Sequence, residues 1–153
     1  MKVFISVGEQ AMSGYTNIDP SGGENKISMD FRCLDSICEA SQCMEICAPN
    51  ITDYLHHSEI MPVINNWVSK LRHGGTIIIG GSDSYEICKG VVNGKIDTIE
   101  FNVRYYGNSN SFPFIKTGMY TRHDVESILV NMGLKIVHKR INDRCFVVEA
   151  IRD

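Results

Sequence analysis

The sequence predicts an α/β fold: a mostly parallel sheet with helices on its faces and an antiparallel hairpin at its C-terminal end. Short apolar runs in the first 50 residues each stop at a glycine or a polar turn. Thr76 to Ile79 is an uninterrupted β-branched run, typical of a parallel strand that is covered on both faces. The last two apolar runs are separated by three residues, too few for anything but an antiparallel hairpin.

Four short strands are predicted before residue 50. They are Lys2 to Ser6, Tyr15 to Ile18, Ile27 to Met29 and Met44 to Cys47. Only about eight residues separate Ser6 from Tyr15, whereas a helical crossover between parallel strands needs about a dozen. The first helix of the fold is therefore expected to be absent or reduced to a turn.

The clearest helix runs from about His57 to Arg72. Its apolar residues share one face, Ser58 is a candidate N-cap, and Pro62 is tolerated if it lies in the first turn. We expect Gly74-Gly75 to close this helix and the β-branched strand to follow.

A second helix is predicted from Thr121, because T-R-H-D forms a capping box with Asp124. Gly133 is expected to end it. The strands of the final hairpin then run from Leu134 to Ile141 and from Cys145 to Ile151.

Composition indicates one globular domain over residues 1–153. The net charge is −3 and 43% of the residues are hydrophobic, so the chain lacks the basic footprint of a nucleic-acid binder. It shows no secretory leader and no apolar run near 18 residues, so we expect neither secretion nor a membrane span and a cytoplasmic location.

The cysteine spacing does not indicate a metal site. Cys33, Cys38, Cys43 and Cys47 are five, five and four residues apart, and no C-x-x-C pair occurs. Structural zinc favours ligand pairs two to four residues apart on turns, whereas Cys47 lies inside a predicted apolar strand. We interpret these side chains as reduced, mostly buried thiols.

Two strand ends carry residues that a nucleotide cofactor uses. Gly8 follows the first predicted strand, and Asp19 follows the second. A doubly wound nucleotide fold places its loop glycine and its ribose-binding acid in this order. The order suggests a site for a dinucleotide or for S-adenosylmethionine, although a turn role for both residues is equally consistent with it.

Several segments resemble one family along nearly the whole chain. These are K-V-F-I-S-V-G from Lys2, G-Y-T-N-I-D from Gly14, L-R-H-G-G-T-I-I-I from Leu71, S-D from Ser82, and the stretch T-R-H-D-V-E-S-I-L-V-N-M-G-L-K-I-V. They are similar to the small predicted S-adenosylmethionine-dependent methyltransferases of class I. The resemblance implies a Rossmann-like methyltransferase fold, S-adenosylmethionine as the cofactor and a small-molecule or glycan acceptor.

The resemblance also implies a cofactor site at the carboxyl ends of the strands. Gly8 would let the backbone approach the methionine portion, Asp19 would bind the ribose hydroxyls, and Asp30 with Phe31 would flank the adenine. The alternatives are a turn acid for Asp19 and a loop acid beside a core phenylalanine for the other two. The full set of expected cofactor-binding residues is Ser6, Val7, Gly8, Asp19, Asp30, Phe31 and Asn50. An Asp19→Ala variant would then lose binding while keeping its fold.

Methyl transfer needs a base only when the acceptor must lose a proton. The candidates are Asp53, His56, His57 and Asp83, which lie near strand ends or at the start of the long helix. Solvated histidines and a helix-capping Asp83 are the alternatives. The segment from Ile99 to Gly118 is expected to be extended and to form a lid or acceptor wall, or else a plain surface loop.

Two departures from the family pattern leave a second function open. Ser6 stands where the family has its first loop glycine, and N-I-T-D-Y from Asn50 stands where it has H-x-L-E-H. A catalytically silent protein that binds S-adenosylmethionine or S-adenosylhomocysteine is therefore the alternative to an enzyme that methylates a hydroxyl. NAD binding is disfavoured by the terminal hairpin and by the missing loop glycines.

Overall fold

A computed structural model describes residues 1–108 and 111–153 of this chain. Its sheet strands alternate with helices in an order close to the expected one. The elements are β1 Lys2–Ile5, β2 Thr16–Ile18, β3 Cys43–Ala48, a one-turn 3-10 helix Thr52–Tyr54, α1 Ile60–Lys70, β4 Leu71–Ser82, α2 Ser84–Val92, α3 Thr98–Tyr106, α4 Arg122–Asn131, β5 Leu134–Asn142 and β6 Cys145–Arg152.

The six strands form one sheet in the order β2-β1-β3-β4-β6-β5. The first four pair in parallel, and β6 pairs antiparallel with both β4 and β5. The predicted fold class, a mostly parallel sheet with a reversed C-terminal hairpin, is confirmed. The described residues 6–15 contain no helix, so the direct connection between the first two strands is also confirmed.

The main core lies on one face of the sheet. Ile77 and Ile79 of β4 and alternate residues of β6 are buried, and they pack with Trp67 of α1 and Leu129 of α4 in one apolar cluster. Thr76 and Ile78 point to the other face and are half-buried. The second face of this strand is therefore partly covered, less than the β-branched run predicts.

Helix α1 is shorter than the sequence pattern suggested. It begins at Ile60 with Glu59 as N-cap, so Ser58 is not the cap, and Pro62 does lie in its first turn. The helix ends at Lys70 and β4 starts with the next residue. Gly74-Gly75 consequently lies inside β4 and does not close the helix.

The predicted third strand, Ile27 to Met29, is wrong. Ile27 forms an isolated parallel bridge to Ile18, and the described residues 28 and 29 do not extend it. Ile27 donates its N–H to the carbonyl of Asn17, and its own carbonyl accepts the N–H of Asp19. One residue therefore forms both hydrogen bonds, one to the edge strand β2 and one to the residue that follows it.

The segment after α2 is also partly helical where an extended stretch was expected. Asp97 caps α3 by accepting a hydrogen bond from the N–H of Glu100. Within this segment the composition of G-N-S-N-S, from Gly107 to Ser111, predicts a turn. That stretch includes residues 109 and 110, which lie outside the described residues.

The C-terminal predictions are confirmed in detail. Thr121 and Asp124 form the capping box at the start of α4. Asp143 and Arg144 join the last two strands with φ values of 47° and 59°, the left-handed conformation that tight hairpin turns require.

Among the described residues no helix is long and apolar enough to cross a bilayer. Cys38, Cys43 and Cys47 are buried free thiols, whereas Cys33 is exposed.

Candidate functional site

The ends of β1 and β2 bring the predicted glycine and acid into direct contact. Gly8 adopts a φ of +78°, a conformation that glycine takes without steric cost. Its N–H donates a hydrogen bond of 2.8 Å to Oδ2 of Asp19, and the Ser6 hydroxyl lies 3.3 Å from the same oxygen. Parallel strands therefore place Ser6, Gly8 and Asp19 at one edge of the sheet, as expected.

The carboxylate of Asp19 is fully buried, and several neighbouring donors bind it. Oδ1 accepts hydrogen bonds from the N–H and hydroxyl of Ser21, at 2.9 and 2.6 Å. Oδ2 also forms an ion pair of 2.8 Å with Lys26. Burial alone would raise the pKa of Asp19, but the bonds from Lys26, Ser21 and Gly8 outweigh it and hold that pKa below its ordinary value. A ribose can use this carboxylate only if some of these donors leave.

Beside Asp19 lies a small apolar slot of about 140 Å³. Its lining residues are Pro20, Phe31, Arg32, Tyr54, Phe112, Pro113, Ile115 and Thr117. Phe31 is buried against the core, and its carbonyl accepts a hydrogen bond of 2.8 Å from the indole N–H of Trp67. The slot has the size of an apolar cavity that admits a single aromatic ring, about 150 Å³.

Asp30 lies outside this slot. Its carboxylate is exposed and accepts hydrogen bonds from the backbone and guanidinium of Arg32. Arg32 in turn binds both carboxylate oxygens of Glu59, at 3.0 and 3.2 Å. The network positions Arg32 at the mouth of the slot, a role that the sequence did not indicate.

The predicted base Asp53 lies beyond the end of β3 and is buried. Oδ1 accepts the N–H of Ser82 at 2.8 Å, and Oδ2 accepts the Ser82 hydroxyl at 2.7 Å. Lys116 approaches the same Oδ2 to 2.9 Å. Asp53 is therefore bound to the end of β4 and paired with a cation.

The remaining predicted residues divide between structural and exposed positions. Asp83 caps α2, accepting from Glu86 N–H at 3.1 Å, and its other oxygen accepts from Arg122 N–H at 2.9 Å. These contacts match the capping alternative. The rings of His56 and His57 are exposed, with centroids 4.0 Å apart and planes tilted by 43°. Asn50 is exposed, and Val7 is buried in the core.

Residues 112–118, here called the strap, cross the edge of the sheet over these groups. A Cβ placed on Gly8 would lie 2.8 Å from Cε1 of Phe114, so the Phe114 ring packs on the Gly8 backbone. The N–H groups of Thr117 and Gly118 donate to the carbonyl of Asp53 at 2.8 and 3.1 Å. The strap thus lies against one side of Gly8, which is otherwise exposed.

Two further cavities flank Lys116. One of about 280 Å³ is lined by His57, Tyr105, Tyr106, Tyr120 and residues 116–119. The other, of about 350 Å³, is lined by Tyr54, Ser82, Arg104, Phe114 and Lys116 among others. The predicted lid or acceptor segment therefore does border cavities, and its helical half supplies two of the tyrosines.

Sequence reasoning missed Lys26, Lys116 and Tyr54. Lys26 is seven residues from Asp19 in an irregular loop, and Lys116 is 63 positions from Asp53 (116 minus 53). No periodicity links residues at such spacings. A usable signal was the buried acid itself, because a carboxylate predicted at a core strand end needs a cation or several N–H donors.

No protein-family model matches the chain, and a search of curated proteins also gives no match. Solved structures do match it. A protein from Pyrococcus horikoshii superimposes with a TM-score of 0.60 and 13% identity, over 92% of this chain and 61% of that one. A SAM-dependent methyltransferase from Archaeoglobus fulgidus gives 0.62 and 9%, over 99% and 86%.

Two of the similar structures contain small molecules. The Burkholderia thailandensis 1,6-didemethyltoxoflavin-N1-methyltransferase, with bound 1,6-didemethyltoxoflavin and S-adenosylhomocysteine, has a TM-score of 0.63 and 9% identity over 99% of this chain and 71% of that one. An O-methyltransferase family 2 protein from Planctomyces limnophilus in complex with apigenin gives 0.58 and 11%, over 99% and 50%. The chain spans between half and most of the length of these proteins, and the likeness shows a shared fold.

Proposed function

We propose that this chain, which has the class I methyltransferase fold, binds S-adenosylmethionine beyond the carboxyl ends of β1 and β2 and transfers its methyl group to a small molecule or glycan hydroxyl. The contact between Gly8 and Asp19 supports this most directly. It joins a left-handed glycine to a strand-end acid at 2.8 Å. Ligands of open α/β sheets bind at this edge, outside the carboxyl ends of the strands.

The described residues fit the parts of the cofactor once the strap is lifted. Gly8 offers a backbone without Cβ to the methionine portion. Phe31 and Tyr54 offer an apolar floor to the adenine. Asp19 would accept the two ribose hydroxyls in place of Lys26 and the Ser21 hydroxyl, because a carboxylate has about four lone-pair sites in all.

Transfer from a sulfonium depends mainly on positioning and on exclusion of water. When bound, the cofactor supplies the electrophilic methyl group. Asp53 lies at the neighbouring strand end, and after Lys116 withdraws it would take the proton of an acceptor hydroxyl. The cavities beside Lys116 would hold the acceptor, and the bound 1,6-didemethyltoxoflavin and apigenin of two similar structures support a small molecule there.

A silent S-adenosylmethionine-binding protein is the second candidate function. The contacts of Asp53 with Ser82 and Lys116 favour it, because they give this carboxylate a structural role. The two functions share the binding prediction and differ only in turnover.

Thermal unfolding with added ligand tests the shared part. S-adenosylmethionine or S-adenosylhomocysteine at 100 times its dissociation constant should add about 2.7 kcal/mol, which raises the midpoint by roughly 5–10 °C in a chain of this size. NAD serves as the matched nucleotide control and should give no shift. A shift with NAD and none with the other two at millimolar concentration would contradict the proposal.

Formation of S-adenosylhomocysteine from S-adenosylmethionine, against a panel of sugars, polyols, phenols and small acids, separates the enzyme from the silent protein. Asp53→Asn should lower turnover by about 10²–10⁴ while the variant still binds the cofactor. Ser82→Ala is the control, because it removes one donor to Asp53 and leaves the acid in place; its turnover should fall far less. If Asp53→Asn and wild type turn over at equal rates, Asp53 is not the base, and His56, His57 or Asp83 would have to take that role.

A further inference from the structure

The structure assigns a second role to the strap: we propose that Phe114 is a plug that the cofactor must displace, and that displacement separates Lys116 from Asp53. This inference rests on the proposed function, since the ligand that competes with Phe114 is the cofactor itself. It concerns Phe114, which affects cofactor binding, and Lys116, which decides whether Asp53 is free to accept a proton.

The position of Phe114 is the first observation. Its ring packs on the Gly8 backbone so closely that even a methyl group on Gly8 would overlap it. Gly8 is the residue that the cofactor must approach in the proposed site. Gly8 is otherwise exposed, so the ring and a ligand that approaches Gly8 from the side of the strap exclude each other.

The attachment of the strap is the second observation. Lys116 is two residues from Phe114, and its ammonium group binds Oδ2 of Asp53 at 2.9 Å and the carbonyl of Arg104 at 3.0 Å. Both side chains of the ion pair are largely buried, with 17% and 8% exposed. The pair holds the strap down, and at the same time it neutralises the candidate base.

The two contacts are joined by a short piece of backbone. Thr117 and Gly118 are anchored on the carbonyl of Asp53. A ligand that lifts Phe114 therefore also pulls on Lys116, which lies between Phe114 and the anchored Thr117. Cofactor binding would thus release Asp53 for the acceptor. Asp53 would stay paired with Lys116 until the methyl donor had arrived, so the structure predicts an order of binding.

Mass action predicts in which direction the affinity for the cofactor changes when Phe114 is removed. The apparent dissociation constant equals the intrinsic one divided by the fraction of open molecules. Phe114 is 39% exposed, so its contacts stabilise the closed state only modestly. Phe114→Ala should therefore bind S-adenosylhomocysteine about tenfold more tightly than wild type.

Isothermal titration with S-adenosylhomocysteine tests this expectation. Phe114→Leu should give an intermediate gain, which protects the test if the alanine variant folds poorly. Tyr85→Ala is the control: this aromatic side chain of α2 is 64% exposed, lies outside the strap and the cavities described above, and should change affinity less than twofold. Lys116→Met should also tighten binding, because it removes the ion pair that holds the strap.

Hydrogen exchange of peptides covering residues 112–118 reports the movement without any turnover. Exchange in the wild type should increase when S-adenosylhomocysteine is added. Unchanged or slower exchange, or a Phe114→Ala affinity equal to that of wild type, overturns the plug while leaving the proposed function standing. If neither wild type nor Phe114→Ala binds the ligand at millimolar concentration, the proposed function fails and the plug fails with it.

Discussion

Asp19→Ala should destabilise the fold as well as weaken binding. The carboxylate is fully buried, and its partner Lys26 is only 9% exposed. Removing one member of such a pair leaves the other charge buried and uncompensated, which costs about 3–5 kcal/mol. The sequence alone predicted a loss of ligand with the fold intact, so the structure changes this expectation.

Urea unfolding followed by the fluorescence of Trp67, the single tryptophan, measures this cost. Trp67 is buried and hydrogen-bonded to the carbonyl of Phe31, so its emission reports loss of the core. With a slope near 2 kcal/mol per molar urea, the midpoint of Asp19→Ala should fall by about 2 M.

Lys26→Met is the informative control for Asp19→Ala. It leaves the carboxylate of Asp19 with donors from Gly8, Ser6 and Ser21. The loss should therefore be smaller, about 1–2 kcal/mol. Adding Lys26→Met to Asp19→Ala should recover part of the stability, because it removes the stranded cation.

The pH dependence of the same measurement has a definite sign. The pKa of Asp19 is lower in the folded state than in the unfolded chain. Its stabilising contribution is therefore complete above the unfolded pKa of about 3.9 and is lost as the pH falls through the folded value. The gap between wild type and Asp19→Ala should be constant near neutrality and shrink below about pH 4. An Asp19→Ala variant that unfolds at the same urea concentration as wild type would refute this reasoning.

Four other substitutions test the backbone and core. Gly80→Ala should destabilise the fold by about 3 kcal/mol, because a Cβ there would overlap carbonyl oxygens on both sides. Gly74 lies in open space at a φ of +71°, so Gly74→Ala should lower the free energy of unfolding in the same urea assay by only about 1 kcal/mol, the cost of a left-handed alanine. Arg144→Gly, at a φ of 59°, should stabilise the hairpin by about 1 kcal/mol, seen as a higher thermal midpoint. Tyr120→Phe deletes a buried hydroxyl that donates to Leu55 O at 2.6 Å and should cost about 1–2 kcal/mol; because burial raises the pKa of Tyr120 to about 12, an ultraviolet titration should lose one late-ionising tyrosine.

Local patterns predicted most of the fold. The capping box at Thr121, the apolar runs of β1 and β3 and the short link of the final hairpin are short-range signals, and each is confirmed. The link has two residues where the sequence suggested three, because Asn142 pairs with Cys145. The prediction failed where tertiary contacts decide. Ile27 forms one isolated bridge to Ile18, and residues 28 and 29 form no strand pairing.

The candidate site was predicted only in part for the same reason. Strand ends place Gly8 and Asp19 together through the topology of the sheet, which the sequence order reveals. The cations that bind the two acids come from loops, and Lys116 pairs with an acid 63 positions away (116 minus 53). Such a contact depends on the path of the strap and leaves no pattern in the sequence.

Amide chemical-shift mapping with S-adenosylhomocysteine tests the central claim most directly, because it reports both whether the ligand binds and where. The account predicts that the largest shifts fall on the N–H groups of Gly8 and Ser21, which contact Asp19, and on Thr117 and Gly118 at the base of the strap. An equal concentration of NAD should leave these signals in place. Saturable shifts that cluster elsewhere, with Gly8 and Ser21 unmoved, would contradict a cofactor site at the ends of β1 and β2.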